Sequence, residues 1–373
     1  MEAFKHAVDS IFSPDPRYFT TLVFLAFGLF LWKRRFFTSP PVALFLFILA
    51  TAFFAVSMTD AHFKKEITKP DNIPIMIVLL GVGFFVWLSL RRGVINDERM
   101  ARGEVPLEKI ESDEKILTWP DLVYTEFVCS IVIGVLLLVW GILIKAPIEE
   151  AANPTRTPNP SKAPWYFLAL QEMLVYFDPW IAGVLFPGTI IAALIAIPFL
   201  DRNPKGQGYF TFRDRSFAIT MFLFGFVILW VFMMFLGTLL RGPNWNFFGL
   251  YEPWTDHKVV PLTNVNLSEY FWVSFLRQMV PKVPAEGSAL AQAAAIFVRE
   301  GPGILLTVFY LALVPLVLAK TFFRKFYIDM GFIRYQLFSN FFLLMMSLPI
   351  KMYLRWLFNL KYVVAIPEWF FNI

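Results

Sequence analysis

Side chains able to do redox, metal or proton chemistry are few in this sequence. Three His (His6, His62, His257) and one Cys (Cys129) stand among 373 residues. A single Cys excludes a disulfide framework, and no Cys-x-x-Cys-His run is present for covalent haem attachment. Two b-haems with paired axial imidazoles need four helix-borne His. The three here fall in loops or near chain ends, so the chain is expected to ligate neither haem nor metal. Cys129 reads as a small apolar packer. Glu126 lies about one turn inside an apolar stretch, where a carboxylate is a functional hypothesis by default; so near the inner end it reaches water, the favoured reading. Chemistry-bearing residue types concentrate instead in segment 147–180. It runs through Pro147, Pro154, Pro158 and Pro160 to Pro164-Trp165-Tyr166-Phe167, then Glu172, Tyr176 and Asp178-Pro179-Trp180.

The elements that position this segment are membrane helices. Apolar residues make up 58% of the chain, charged residues 16%, and aromatics 18% with 44 Phe; mean hydropathy is +0.61. Soluble domains are about 45–50% apolar and about 25% charged. The composition therefore predicts an all-α polytopic membrane protein. Its net charge of +5 belongs to loops beside the membrane and argues against a nucleic-acid partner. Eight stretches approach the roughly 20 apolar residues a span needs: about 18–32, 41–58, 73–90, 122–144, 181–200, 216–240, 302–319 and 332–350. Pro41, Pro74 and Pro302 are placed at helix starts; Pro187, Pro198, Pro315 and Pro349 predict kinks or early stops. With the N-terminus outside, the inner loops hold 17 of the 33 Lys and Arg in 68 residues, the bias expected of cytoplasmic loops. Both termini are then outside. Met1 to Pro16 lacks the layout of a cleaved signal, so the first helix is expected to act as an uncleaved start-transfer segment.

Along the chain this gives a three-helix block at 1–90, a charged linker at 91–121 expected to be a solvated helix or loop, and a three-span block at 122–240. An outer segment at 241–301 and a C-terminal helix pair with a tail at 302–373 complete it. Between the fourth and fifth spans the prolines forbid a helix and favour an extended path. From Pro164 a 13-residue amphipathic helix is expected, with Trp165, Leu168, Met173 and Tyr176 on one face, lying in the outer interface and ended by Asp178-Pro179.

Asn-Pro followed by Pro-Trp-Tyr-Phe resembles the quinol-oxidation loop of the cytochrome b family, specifically the separate C-terminal half called subunit IV in split complexes. The resemblance continues through Phe186-Pro187, Ile197-Pro198-Phe199-Leu200-Asp201, Asn203-Pro204, Phe212-Arg213-Asp214-Arg215 and the span ending near Gly237-Thr238, about residues 115–240. In one respect the chain departs from the family. The family motif is Pro-Glu-Trp-Tyr, its Glu taking a proton from quinol; here those places read Ala163-Pro164-Trp165-Tyr166. Quinol oxidation needs a base within hydrogen-bond reach of the hydroxyl. Glu172, two turns past Trp165 on the same face, is the candidate replacement, the alternative being an interfacial Glu facing solvent.

By matching position Tyr166 is a second candidate, hydrogen-bonding quinol or gating water, or else a belt tyrosine at the headgroups. Pro164, Trp165 and Phe167 would shape the quinol pocket. Arg213 and Arg215 match an inner quinone or lipid surface, though positive-inside anchoring is favoured for both. His62 and His257 read as solvated loop residues. Segment 349–373 reads as a basic aromatic interfacial anchor, and 241–301 as a docking surface for an outer partner.

What the resemblance implies is a haem-free cytochrome b C-terminal-half subunit of a quinol-oxidising Rieske–cytochrome b complex in a bacterial inner membrane. A haem-bearing cytochrome b N-terminal-half subunit would hold two b-haems, a Rieske protein the iron–sulfur cluster, and cytochrome c subunits would carry electrons on, in a dimeric, lipid-embedded assembly. The rivals are a membrane-anchor or quinone-contact subunit of another respiratory complex, and a transporter. The latter lacks support from inverted repeats or charges at mid-membrane.

Overall fold

The computed structural model describes residues 2–12, 15–111, 115–144, 153–155, 157–202, 210–255, 258, 260, 263–284 and 287–373. Among them the fold is all helical apart from one two-stranded hairpin, Ala365–Ile366 against Phe371–Asn372. Every expected span is a helix, and seven are long and apolar enough to cross a membrane. The first expected span, Pro16–Trp32, has 17 residues. It rises about 25 Å at 1.5 Å per residue, a little short of the hydrocarbon core.

The chain forms two compact units. The first comprises Met1–Tyr166 with Gln207–His257, the second Phe167–Gly206 with Lys258–Ile373. In the first unit the helices Pro40–Ser57, Ile73–Ala101 and Thr118–Leu143 accompany the most buried one, Phe212–Leu240. Its core joins Leu31, Leu90, Phe212, Ile219 and Leu223, with Phe27, Phe30 and Val227 packed around them. Helix starts obey local chemistry: Asp15 accepts the Arg17 amide and Asp60 the Phe63 amide, satisfying donors that a first turn leaves open.

The linker 91–121 is not simply solvated. The third span continues without a break to Ala101, and Gly93, Val94, Asn96 and Asp97 on it are buried. Asn96 explains why the charged stretch turns inward. Its Nδ2 donates to Glu108 Oε2 (2.7 Å) and the Phe210 carbonyl (3.1 Å), and its Oδ1 accepts the Leu107 amide (3.0 Å).

In the second unit Ile181–Leu200 packs on Phe332–Phe358. Two phenols, half-buried Tyr310 and buried Tyr335, join the last pair of long helices. Tyr310 donates to the Leu343 carbonyl and Tyr335 to the Pro315 carbonyl, each at 2.7 Å. Gly331 reverses the chain before Phe332 at φ 74°, a backbone region that favours glycine. Three proline and anchor expectations are corrected here. Pro302 lies inside the helix Ala289–Val308, not at its start, and Pro349 does not stop Phe332–Phe358. Pro302 is flanked by Gly301 and Gly303, which relieve crowding around its ring. The basic residues Lys351 and Arg355, expected at an interface, are buried. Arg355 instead donates to the carbonyls of Thr263 (3.2 Å) and Asn359 (3.0 Å) and to Asn264 Oδ1 (2.6 Å). Fixed carbonyl oxygens thus replace the water a buried guanidinium has lost.

Candidate functional site

The proline-rich part of the loop belongs to the first unit. Asn153 Oδ1 accepts from the amide and hydroxyl of Thr155 (2.9 and 2.7 Å), a local turn typical of Asn. Asn159 and Asn244 then bind each other twice: Asn159 Nδ2 donates to Asn244 Oδ1 (2.8 Å), and the Asn244 amide donates to Asn159 Oδ1 (2.7 Å). Lys162 Nζ donates to the Thr238 carbonyl (2.7 Å) and sits 4.2 Å from the Trp254 ring centre. Since a proline track has few amides of its own to offer, side chains do the anchoring. Across that indole, His62 approaches edge-on at 5.7 Å; burial first of all holds its pKa below the usual value. His257, Asn203-Pro204 and residues 145–152 lie outside the described residues.

The expected 13-residue helix is shorter and in two pieces, a tight turn Trp165–Phe167 and a helix Leu168–Met173. Trp165 is half-buried and meets Tyr166 edge-on at 5.6 Å. Tyr166 and Phe167 expose 49% and 50% of their surface, and Pro164 is exposed.

In the second unit the character reverses. Leu168, Ala169, Met173, Tyr176 and Phe177 are buried, so these side chains face into the protein. Glu172 is 0% exposed. A solvent-facing Glu172 is thereby excluded. Tyr176, one turn on and equally buried, donates its hydroxyl to Glu172 Oε1 at 3.0 Å. The Tyr176 ring meets Trp356 edge-on at 5.8 Å, and Lys351 Nζ lies 5.6 Å from the Phe177 ring centre. A carboxyl group enclosed in this way and hydrogen-bonded to a phenol is held in one orientation inside the protein.

The loop ends on residues that the sequence left unassigned. Asp178 accepts the Ile181 and Ala182 amides on its carbonyl, both at 3.0 Å, starting the next helix. Its carboxylate accepts Tyr362 Oη (3.1 Å) and Asn372 Nδ2 (3.4 Å). Trp180 stacks on Phe371 at 4.9 Å and donates Nε1 to the Asn372 carbonyl (3.1 Å). Burial above all, then the Asp178 carboxylate, pushes the Tyr362 phenol up to about 12. Burial and then the Arg355 guanidinium push Lys361 down. No spacing signal pointed to Tyr362 or Asn372, because they meet the loop only through the tertiary fold.

Arg213 and Arg215 lie in the first unit. Arg213 is exposed, and its amide donates to both oxygens of buried Asp97 (3.0 and 3.2 Å). Arg215 is half-buried at a break in helical geometry. Asp97 also faces Arg34 at 3.9 Å, whose guanidinium lies 3.9 Å from the Phe212 ring centre. Asp97 acts here as a helix-start acceptor. Among the described residues no three His, Cys, Asp or Glu side chains converge as metal ligands.

Residues 151–252 match the family described as cytochrome b(C-terminal)/b6/petD. The chain carries a cytochrome b C-terminal region. The matched residues contain the loop from 153 to 180 and leave out Pro147, Tyr362, Asn372 and the first four spans. The menaquinol:cytochrome c reductase cytochrome c subunit of Geobacillus thermodenitrificans is 34% identical over 92 residues, 23% of this chain and 37% of the relative. The subunit of the same description from Bacillus subtilis (strain 168) is 34% identical over 112 residues, 28% of this chain and 42% of the relative. The chain thus spans about two fifths of the length of these curated relatives. No solved structure matches.

Proposed function

We propose that this chain is the haem-free cytochrome b C-terminal-half subunit of a bacterial quinol:cytochrome c oxidoreductase, walling its outer quinol-oxidation site with residues 153–180. The observation carrying this reading is the buried Glu172–Tyr176 pair inside the cytochrome b C-terminal region, where the family's usual carboxylate position is Pro164. Oxidation of a quinol releases two protons and two electrons. Glu172 takes one hydroxyl proton, with the Tyr176 phenol fixing the orientation of its side chain. Tyr166 supplies a hydroxyl to the quinol head, and Trp165, Phe167 and Pro164 shape the apolar pocket around it. Arg213 and Arg215 contact lipid headgroups or an inner quinone.

His6, His62 and His257 do not fit two pairs of axial ligands; burial and an indole neighbour occupy His62. The b-haems therefore belong to a cytochrome b N-terminal-half partner, and the Rieske cluster to an iron–sulfur partner. Together they supply the one-electron acceptors, cytochrome c subunits pass electrons on, and the assembly is dimeric. Protons leave on the outer side of the inner membrane, where both termini of this multi-pass chain lie.

Purification of the chain from its native membrane tests this. Co-elution of b-type haem and an iron–sulfur protein, with menaquinol- or ubiquinol-driven cytochrome c reduction blocked by an outer-site inhibitor, is expected. A preparation holding neither partner would overturn the proposal.

A further inference from the structure

The tail 359–373 lies outside the cytochrome b C-terminal region yet reaches the end of its loop within the second unit. One side of the tail is pinned to the helix Ala289–Val308. Arg299 forms a two-pronged pair with Glu368 (2.7 and 2.9 Å) and donates to the Ala365 carbonyl (3.0 Å). Neighbouring Glu300, 1% exposed, accepts the Ala365 amide (3.0 Å). At Gly303 the backbones approach so closely that a Cβ would stand 1.9 Å from the Val363 carbonyl oxygen. Bidentate guanidinium–carboxylate geometry is directional as well as strong, so the tail has a defined path. The Arg299 guanidinium also holds the Glu368 carboxyl below its usual range.

The other side of the tail holds the loop. Tyr362 and Asn372 both donate to the Asp178 carboxylate, and Trp180 is stacked and hydrogen-bonded by Phe371 and Asn372. Asp178 follows Tyr176 by two residues and its carbonyl starts the next helix, so its placement bears on where the buried Glu172–Tyr176 pair can sit.

We propose that Tyr362 and Asn372 are positioning residues for quinol oxidation: through Asp178 they hold the end of the loop so that Glu172 keeps its direction toward substrate. This rests on the outer-site reading above. The tail acts as a strap between one long helix and the loop, and because it positions a proton acceptor its effect falls on turnover at saturation more than on substrate affinity.

A double-mutant cycle in the purified complex tests it, with a short-chain menaquinol and cytochrome c as substrates and b-haem content as the assembly check. Tyr362→Phe and Asp178→Ala should each lower kcat about fivefold with KM within about twofold. The double variant should be no worse than either single change, because both delete one link. Asp178→Asn, which keeps an acceptor for the phenol, should keep kcat near the native value. Unchanged kcat in both single variants, or additive effects in the double variant, would overturn the strap while leaving inhibitor-sensitive quinol oxidation by the native complex intact. Absence of that oxidation in the native complex would overturn the outer-site reading, and the strap with it.

Discussion

Tyr166 and Phe167 each leave half their surface open, whereas Glu172 and Tyr176, a few residues further along the same loop, leave none. The first stretch is tethered by polar side chains, Asn159 to Asn244 and Lys162 to the Thr238 carbonyl. The second is held by burial, with Leu168 and Met173 in the core and the carboxylate capped by a phenol. One stretch therefore keeps half of its aromatic surface exposed, and the other encloses an acid away from water. The contrast shows why residue type alone misassigns this loop: the open residues are aromatic and the enclosed one is an acid. Burying an acid costs more than burying an aromatic ring, so the enclosed position is the one for which the fold has made specific provision.

The contrast is sharpened most by Glu172→Gln. The amide still accepts from Tyr176, so the complex should assemble with full b-haem content, while quinol turnover falls about a hundredfold, as loss of a general base does. Native turnover in that variant would remove Glu172 from the chemistry. Next comes the pair Leu168→Ala and Phe167→Ala. The buried leucine should cost about 2–5 kcal/mol of stability and the half-exposed phenylalanine under about 1 kcal/mol, read by thermal unfolding of the detergent-solubilised complex. Equal losses would erase the distinction between the two stretches.

Asn159→Ala should cost about 1 kcal/mol or less, since the paired amides it breaks are exposed to water. Hydrogen exchange should quicken at Asn244 and leave Tyr176 protected. The smallest expected effect is with pH. The Tyr362 phenol is raised from an ordinary value near 10 to about 12. Its contribution is thus complete below about pH 10 and fades only as pH rises through about 12. A spectrophotometric titration of native complex against Tyr362→Phe should show no phenolate difference between pH 6 and 10.

Much of this was readable along the chain. All eight apolar stretches are helices, because hydropathy over about 20 residues is a local property. Pro41 and Pro74 start helices as expected. Helix ends were less readable. The third span runs on to Ala101 because Asn96 and Asp97 find partners at Leu107, Glu108, Phe210 and Arg213, and the last one passes Pro349 because Lys351 and Arg355 are buried against backbone oxygens.

Composition, proline spacing and the Pro164-Trp165-Tyr166-Phe167 run were enough by themselves to determine a polytopic helical chain and to single out the loop proposed as its site. Each of these depends on residues near one another in sequence. Only tertiary structure decided that Glu172 is enclosed, that Lys351 and Arg355 turn inward, and that Tyr362 and Asn372 grip Asp178, 184 and 194 positions away in the chain. Whether a charged group in an apolar region is solvated or enclosed depends on which distant donors and acceptors replace its water, and that is information no local pattern holds.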